Sequence, residues 1–358
     1  GDPLHRCRGQ VPAVREHRRR AARRHAHRRV PEPRQDLSTS DAGDWRPGTG
    51  PAALRARAAL LAAVRAFFAA RGVLEVDTPV LARSTVTEPA IASVAAEGGW
   101  LQTSPEYFMK RLLAAGSGPI YQIGRAFRAG EHGRLHNPEF LLLEWYRPGF
   151  DDADLMRELE DLLAPQLAGF PAARTSFREL LEAQFGVDAF TASDEALAAA
   201  LTAAWAGVGR DGDALALAGG RREGLLDLLY AEACERLVGA VFVTDFPPAM
   251  AALARLRRDG AGRTVAARFE LVVDGVELAN GFHELADAAE QRRRFEADRA
   301  TRRRLGLPVP GIDEHLLAAL DAGLPDCAGV AVGLDRVLML ALGETSLDAV
   351  VPFTRDRS

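Results

Sequence analysis

Polar side chains that could take part in binding or catalysis are concentrated in one short segment of the chain. FRAGEHGRLHNPEF, residues 127–140, contains two arginines, two histidines and two glutamates among fourteen residues. The runs PIYQIGRAFR before it and EFLLLEWYR after it are typical of strands, so the segment is predicted to connect a β-hairpin. Side-chain alternation assigns to the facing surfaces Gln122, Gly124, Ala126 and Arg128 from the first strand and Phe140, Glu144 and Tyr146 from the second.

This hairpin would form the floor of a polar site. Its two faces would meet on one side of an antiparallel sheet and combine a guanidinium, an aromatic ring and a carboxylate. Such a floor suits a phosphate, a planar base and an ammonium group. The alternative is a solvated hairpin loop, and for Arg128, Glu131 or Glu139 taken alone that alternative is the better interpretation.

Helical and strand patterns alternate along the rest of the chain. Helices are predicted from Pro51 to Gly72, after Pro105 and from residue 152, and VLEVDTPVL (73–81) is predicted as a strand broken by its proline. Residues 171–240 are Ala-rich and are predicted to be a helical insert. Asp274-Gly275 indicates a tight hairpin turn. A polar helix, then a strand and a helix in GVAVGLDRVLML, complete an α+β pattern of an antiparallel sheet flanked by helices.

Composition excludes several classes of protein. The 358 residues are 47% hydrophobic, which is ample for one large domain with an insert or for two domains. The three cysteines are isolated, so neither a CxxC metal pair nor a disulfide framework is indicated. Lys110 is the one lysine, so a Walker A loop is impossible. No apolar run is long enough to span a membrane, and we expect a soluble, cytoplasmic protein.

The charge is unevenly distributed. Residues 1–50 contain 12 arginines and 6 acidic residues, so the remaining chain, with 33 basic and 43 acidic residues, carries a net charge of about −10. An acidic body is a poor non-specific binder of nucleic acid. We expect residues 1–50 to be a disordered Arg-rich tail or a non-native extension, because they lack sustained apolar periodicity.

Two arginine runs and three histidines are expected to have structural roles. The arginine runs 292–294 and 302–304 are expected to form a solvated helix face, with a docking surface for an acidic protein as the alternative. His132, His136 and His283 are expected to make hydrogen bonds in loops rather than to act as bases.

Taken as a set, these motifs resemble those of class II aminoacyl-tRNA synthetases, especially the lysine-specific branch. FRAGEHGRLHNPEFLLLEWY resembles motif 2, GVLEVDTPVL motif 1, and GVAVGLDRVLML motif 3. TSPEYFMKRLL resembles the amino-acid-binding segment and VELANGFHEL the metal and substrate strand. The resemblance runs in the family's order from about Pro51 to the C-terminus. It implies the class II catalytic fold for residues 51–358.

Within that class the chain is most similar to truncated paralogues of lysyl-tRNA synthetase that attach lysine or (R)-beta-lysine to elongation factor P. EWYRP and ELANGFHEL favour this group. Only about fifty residues precede motif 1, too few and too unpatterned for the oligonucleotide-binding barrel of a lysyl-tRNA synthetase.

The resemblance also implies the site residues. Those that would bind ATP are Arg128, Ala129, Gly130, Glu131, Asn137, Phe140, Glu277, Leu278, Gly333 and Arg336. Those that would bind the amino acid are Ser104, Pro105, Glu106, Glu144, Tyr146, Asn280, Glu284 and Ala331. Arg128, Arg336 and Glu277 would be catalytic, the arginines on phosphate groups, and Glu277 and Glu284 would bind Mg²⁺.

Three positions raise particular expectations. Gly130 stands where the family usually has glutamate, so the neighbouring Glu131 would have to substitute for it. Ala331 stands where lysyl-tRNA synthetases generally have glycine, which fits a pocket reshaped for a beta-amino acid. Glu277 and Glu284 are seven residues apart and would face opposite sides of a regular strand, so we predict a bend at Asn280-Gly281.

The implied reaction has two steps and needs ATP and Mg²⁺. The amino-acid carboxylate would attack the α-phosphate of ATP, and the adenylate would then acylate a lysine of elongation factor P. A homodimer formed through motif 1 is implied, with neither membrane nor tRNA as a partner. The alternatives are tRNA charging of the lysyl-tRNA synthetase kind and a non-catalytic regulatory paralogue.

Overall fold

The computed structural model describes residues 45–358, of which Pro47–Ser358 form one folded unit. The predicted Arg-rich tail therefore lies outside the described residues, apart from its last six. Four of these, residues 47–50, belong to the folded unit, where Gly48 N donates to Pro352 O at 2.7 Å and Thr49 is buried. None of the helices within 45–358 combines the length and apolarity needed to cross a membrane.

A mixed sheet forms the centre of the described unit. In chain order the strands of residues 45–358 are β1 (Leu74–Glu75), β2 (Leu81–Ala82), β3 (Val94–Ala96), β4 (Gly99–Leu101), β5 (Ile120–Phe127), β6 (Glu139–Pro148), β7 (Ala173–Ser176), β8 (Ala240–Phe246), β9 (Leu256–Arg258), β10 (Thr264–Val273), β11 (Val276–His283) and β12 (Cys327–Gly333). The main sheet has the order β1-β5-β6-β12-β11-β10-β8-β7, with β9 on β10, and β2-β4-β3 form a small second sheet.

The six inner strands, in the order β5-β6-β12-β11-β10-β8, pair in antiparallel fashion throughout, which confirms the predicted fold class. The edge strands β1 and β7 pair in parallel with their neighbours, a feature that was not predicted. The hairpin of β5 and β6 places Gln122 opposite Glu144 and Ala126 opposite Phe140, as the alternation of side chains predicted.

Helices cover both faces of this sheet. Within residues 45–358 they are α1 (Pro51–Ala69), α2 (Glu106–Ala114), α3 (Asp152–Leu163), α4 (Phe177–Phe185), α5 (Asp194–Ala206), α6 (Ala214–Leu217), α7 (Arg222–Cys234), α8 (Ala288–Arg304), α9 (Glu314–Gly323) and α10 (Leu334–Ala341). Helix α1 starts with a proline and is followed by Gly72 at φ 64°, and α3 is capped by Asp151, which accepts from Asp154 N.

The apolar core has a different composition on each side of the sheet. Phe68 of α1 stacks on Tyr121 at 4.4 Å between ring centroids and meets Trp145 edge-on at 5.3 Å, in a core shared with α3 and α10. On the opposite side, Met109 of α2 and Phe295 of α8 pack with residues of α9. The second group of helices therefore stands beside the polar floor of the hairpin.

Residues 171–240 contain four helices, α4 to α7, but they also provide a strand of the main sheet. Strand β7 pairs with β8, and the helices pack through Phe177, Leu201 and Leu229 onto a cluster that includes Phe246 of β8. This region is thus joined to the same sheet as the rest of the described unit.

Candidate active site

A cavity of about 410 Å³ opens on the polar face of the sheet. Its walls come from the β5–β6 hairpin, strands β10 to β12, the start of α2 and α10, and the irregular segment 86–91. A volume of this order is typical of small-molecule sites. The cavity has one end rich in buried carboxylates and one end where arginines are partly exposed.

Glu144 lies at the centre of the buried end. Ser104 Oγ donates to its Oε2 and the Tyr146 hydroxyl donates to its Oε1, both at 2.6 Å. Burial raises the pKa of Glu144 to about 7, and the negative charge of Glu106 adds to this, while the two hydroxyl groups partly offset it. Glu144 is therefore held in one position, and a cationic ligand would stabilise its ionised form.

Lys110 joins two further acids at this end. Its Nζ lies 2.7 Å from Glu106 Oε1 and 2.6 Å from Glu284 Oε2, and its side chain is 1% exposed. Burial raises the pKa of Glu284 to about 8 against the attraction of Lys110. Burial alone lowers the pKa of Lys110, but the two carboxylates outweigh it and the net shift is upward. This role of Lys110 was not predicted, although the one lysine of the chain stands at i+4 from Glu106, a spacing that favours an ion pair on a helix.

Strand β12 permits the close packing of these groups. A Cβ at Gly329 would lie 2.3 Å from a Tyr146 ring carbon and 2.6 Å from Glu284 Oε1, so no larger residue fits there. Ala331, two residues on, pairs with Glu144 on one side and with Asn280 on the other, and it lines the cavity.

The bend expected in β11 lies elsewhere. Asn280 and Gly281 pair in regular register with β10 and β12, so the predicted bend at these residues is wrong. Leu271 pairs with Ala279 but Val272 pairs with Glu277, which leaves Leu278 as an extra, bulged residue. One extra residue reverses the alternation, and Glu277 thereby faces the cavity together with Asn280 and Glu284.

The acids fall into two groups that differ from the predicted metal pair. Glu284 is engaged by Lys110, whereas the carboxylate near Glu277 is that of Glu270 on β10. Burial raises the pKa of Glu270 to about 7, the charge of Glu277 adds to it, and Arg268 offsets it. Among residues 45–358 no three His, Cys, Asp or Glu side chains form a ready-made metal cluster.

Arg336, in the first turn of α10, is fixed from three directions. Its guanidinium donates to Leu135 O at 3.2 Å and Glu277 O at 2.8 Å and lies 2.9 Å from His136 Nε2. Burial and the neighbouring Arg336 lower the pKa of His136, so this ring accepts a hydrogen bond in its neutral form. Gly333 and Leu278 line the wall beside the arginine.

Arg128 stands over the aromatic ring of the hairpin. Its Cζ lies 5.1 Å from the Phe140 centroid, and Glu131 Oε1 is 3.7 Å from its Nη1. The Nε of Arg128 is buried without a hydrogen-bond acceptor. Asn137 lines the cavity, and its side-chain amide donates from Nδ2 to Glu139 O at 2.5 Å. Its Oδ1 accepts from Arg355 N at 3.1 Å, which holds the C-terminal segment in place.

Three of the predicted site residues stand back from the cavity wall. Ala129 donates its backbone N–H to Ala92 O at 2.7 Å, Gly130 adopts φ 80° in the loop, and Pro105 precedes α2. Gly130 has a conformation that a glutamate would adopt only with strain, so the acid of this loop is displaced to Glu131, which does line the cavity.

The arginines of α8 do not form one solvated face. Arg302 is buried, and Arg294 donates to Ala252 O at 2.9 Å and to Ala254 O at 2.7 Å, so the prediction was wrong for these two. The other arginines of the two runs are exposed. The histidines His132 and His283 pair with Arg355 and Asp326 respectively.

The fold and this cavity define the class of the protein. The chain belongs to the family of class II tRNA synthetases (D, K and N), whose model matches residues 44–357. It is an ATP-dependent ligase built on that catalytic fold.

Three relatives carry the same name, elongation factor P–(R)-beta-lysine ligase. The protein of Edwardsiella ictaluri is 46% identical over 335 residues, which cover 89% of this chain and 100% of the relative. That of Photorhabdus laumondii is 46% identical over 331 residues, with 88% and 98% coverage. That of Salmonella dublin is 44% identical over 332 residues, with 89% and 100% coverage.

Proposed function

We propose that this enzyme activates lysine or (R)-beta-lysine as an adenylate and transfers the acyl group to a lysine side chain of elongation factor P. The observation that carries the proposal is the pair of buried carboxylates, Glu144 and Glu284, which line one end of the cavity together with Tyr146. Their raised pKa values mean that ionised carboxylates need a cation, and an ammonium group provides it. The shared name of the three relatives supports the same substrate and acceptor.

The open end of the cavity fits a nucleoside triphosphate. Arg128 has a buried Nε without an acceptor, and its forked guanidinium matches phosphate oxygens. Phe140 offers a ring face to adenine, and Arg336 adds a second fixed charge for the far phosphates. As the amino-acid carboxylate attacks the α-phosphorus and pyrophosphate leaves, both arginines stabilise the negative charge that is redistributed.

Mg²⁺ fits beside Glu277 and Glu270 rather than beside Glu284. Two neighbouring carboxylates, one of them buried with a raised pKa, gain stability when a divalent cation lies between them. The ion would neutralise phosphate charge during the displacement. With two carboxylates from the protein, the remaining ligands would be phosphate oxygens and water.

The second step needs no nucleophile from this chain. The unprotonated amine of the acceptor lysine attacks the carbonyl carbon of the adenylate, AMP leaves, and an amide forms. The adenylate stays in the cavity because Ser104, Glu106, Asn280 and the acids at the buried end hold its amino-acid part. Because the acceptor is a translation factor, we place the reaction in the cytoplasm.

A homodimer is part of the proposal. Leu54 of α1 and the residues Leu74, Val80 and Leu81 of the motif 1 segment are exposed. Apolar surface of this kind is commonly covered in an assembly. Leu81→Glu should shift the mass measured by light scattering towards the monomer, whereas the control Val238→Glu, at an exposed site outside this region, should not. Equal masses for both variants would argue against this interface.

The acceptor is tested by following labelled amino acid. Purified enzyme, ATP and labelled (R)-beta-lysine or lysine should transfer label to elongation factor P and at most traces to tRNA. The label should survive mild alkali, because an amide does and a tRNA ester does not. An Arg336→Ala variant provides the background. Label found chiefly on tRNA and released by alkali would replace this proposal with tRNA charging.

A further inference from the structure

The segment 86–91 forms a wall of the cavity that none of the sequence motifs assigned to the site. Val86, Glu88, Ala90 and Ile91 line the cavity. The segment lies between β2 and β3 and belongs to neither a helix nor a strand. Its backbone therefore depends on side chains from elsewhere for its hydrogen bonds.

Arg302 of α8 supplies these hydrogen bonds. Its guanidinium donates to Thr87 O at 2.7 Å, to Glu88 O at 2.6 Å and to Ile91 O at 2.7 Å. A second contact from α8 acts in the same direction, since Thr87 Oγ1 donates to Asp298 Oδ2 at 2.8 Å. A buried arginine committed to three carbonyl groups of one segment holds that segment in a single position.

The side chain so positioned is that of Glu88. It is exposed to the cavity, and within residues 45–358 its carboxylate has neither a hydrogen bond nor an ion pair. Its charge acts on Tyr107, next to Glu106, and on Arg268, which donates to both Asn280 and Glu270. Glu88 lines the same cavity as Ser104 and Glu106, whose segment leads into α2.

Three acids of the buried end already have an ion pair or hydrogen-bond donors. Glu106 and Glu284 share Lys110, and Glu144 accepts from Ser104 and Tyr146. Lysine and beta-lysine each bring two ammonium groups, one at the distal end and one close to the carboxylate. The buried end can enclose the distal group, and Glu88 offers the second ammonium a carboxylate on the cavity wall in addition to Glu106.

We infer that Glu88 binds the ammonium group closest to the substrate carboxylate and that Arg302 is a positioning residue that holds Glu88 in place. This inference rests on the proposed function and adds a specificity-determining residue to it. The contact is a charge-assisted hydrogen bond, made to the α-amino group of lysine or to the β-amino group of beta-lysine.

Three substrates distinguish binding of the ammonium group near the carboxylate from a general effect on the enzyme. ATP–pyrophosphate exchange is measured with (R)-beta-lysine, lysine and 6-aminohexanoate, which has the distal amine but no amine near its carboxylate. Glu88→Gln should raise KM for the first two by roughly ten- to a hundredfold at nearly unchanged kcat, because a charged hydrogen bond is lost. KM for 6-aminohexanoate should stay the same. The control Glu97→Gln, at an exposed site outside the cavity, should change none of them.

Arg302→Lys tests the positioning role, because lysine keeps the charge but lacks the planar fork. It should reproduce the substrate pattern of Glu88→Gln, and the two changes together should raise KM no further than Glu88→Gln alone. Arg304→Lys, at an exposed position on the same helix, is the matched control. Equal effects on all three substrates, or none, would overturn the inference. If the wild-type enzyme activates none of them, the proposed function itself fails.

Discussion

The charged side chains are sealed from water at one end of the cavity and partly exposed at the other. Lys110 and Glu284 each expose 1% of their side chains, whereas Arg128 exposes 29%, Arg336 22% and Glu277 47%. The sealed end already holds the ion pairs of Lys110 and the two hydrogen bonds to Glu144, while Glu284 Oε1 is buried without a donor. The open end has a guanidinium nitrogen without an acceptor and carboxylates at 3.7–3.8 Å from the arginines.

This difference indicates that the two ends of the cavity have different functions. A preorganised, dry pocket discriminates between amino acids, because a wrong side chain would leave buried charges unpaired. An open end with partly exposed arginines admits a large, highly charged nucleotide and lets pyrophosphate and AMP leave. Changes at the sealed end should therefore affect stability and amino-acid affinity, and changes at the open end should affect the chemical step.

The largest effect is expected from Lys110→Met at the sealed end. It leaves Glu106 and Glu284 without their partner, so the free energy of unfolding should fall by about 3–5 kcal/mol in denaturant titrations. Lys110→Met combined with Glu284→Gln should recover part of that loss, because one of the unpaired charges is removed. A fully stable single variant would mean that the ion pairs are not needed by the fold.

Arg336→Ala at the open end should act on catalysis instead. Adenylate formation should fall by roughly 10²–10³-fold, because the lost charge acts on phosphate. The unfolding temperature should fall only slightly, through the lost bonds to Leu135 O and Glu277 O. Arg125→Ala removes an exposed arginine that pairs with Glu139 at 3.4 Å and is the control. Near-normal exchange in a folded Arg336→Ala variant would contradict the assignment.

Glu284→Gln should weaken amino-acid binding selectively. It removes a buried charge facing the ammonium, so the Kd of lysine or beta-lysine should rise by roughly tenfold or more while the Kd of ATP changes little. Calorimetric titration of both ligands into the same variant measures the ratio. Equal losses for the two ligands would mean that the ends of the cavity are not independent.

A pH dependence is the smallest of these effects. Glu144 and Glu284, with pKa values of about 7 and about 8, must be ionised to bind an ammonium group, so kcat/KM for lysine should rise from pH 6 to pH 8. Both pKa values lie above those of the unfolded chain. Their contribution to stability is therefore greatest below about pH 4 and is lost as pH rises towards 8. A flat kcat/KM profile would contradict the assignment, and Glu284→Gln should shift the profile to lower pH.

Much of the fold could be predicted from local patterns. The β5–β6 hairpin, its facing residues and the helices at 51–69, 106–114 and 152–163 follow from alternation, apolar periodicity and capping residues. VLEVDTPVL was less predictable: only Leu74–Glu75 and the final leucine lie in strands. A short strand exists only where a neighbouring strand offers a partner, and that partner is set by the tertiary fold.

The sequence by itself determined the class of site, because motif residues such as Arg128, Glu144, Glu284 and Arg336 are specific as a set and stand in the order of the family. The tertiary structure decided how these charges are shared. Lys110 between Glu106 and Glu284, the bulge at Leu278 and the contact of Arg302 with Glu88 O join residues from separate elements or depend on strand register. Periodicity reports which face a side chain occupies, but only packing determines which charges are buried together and must therefore be paired.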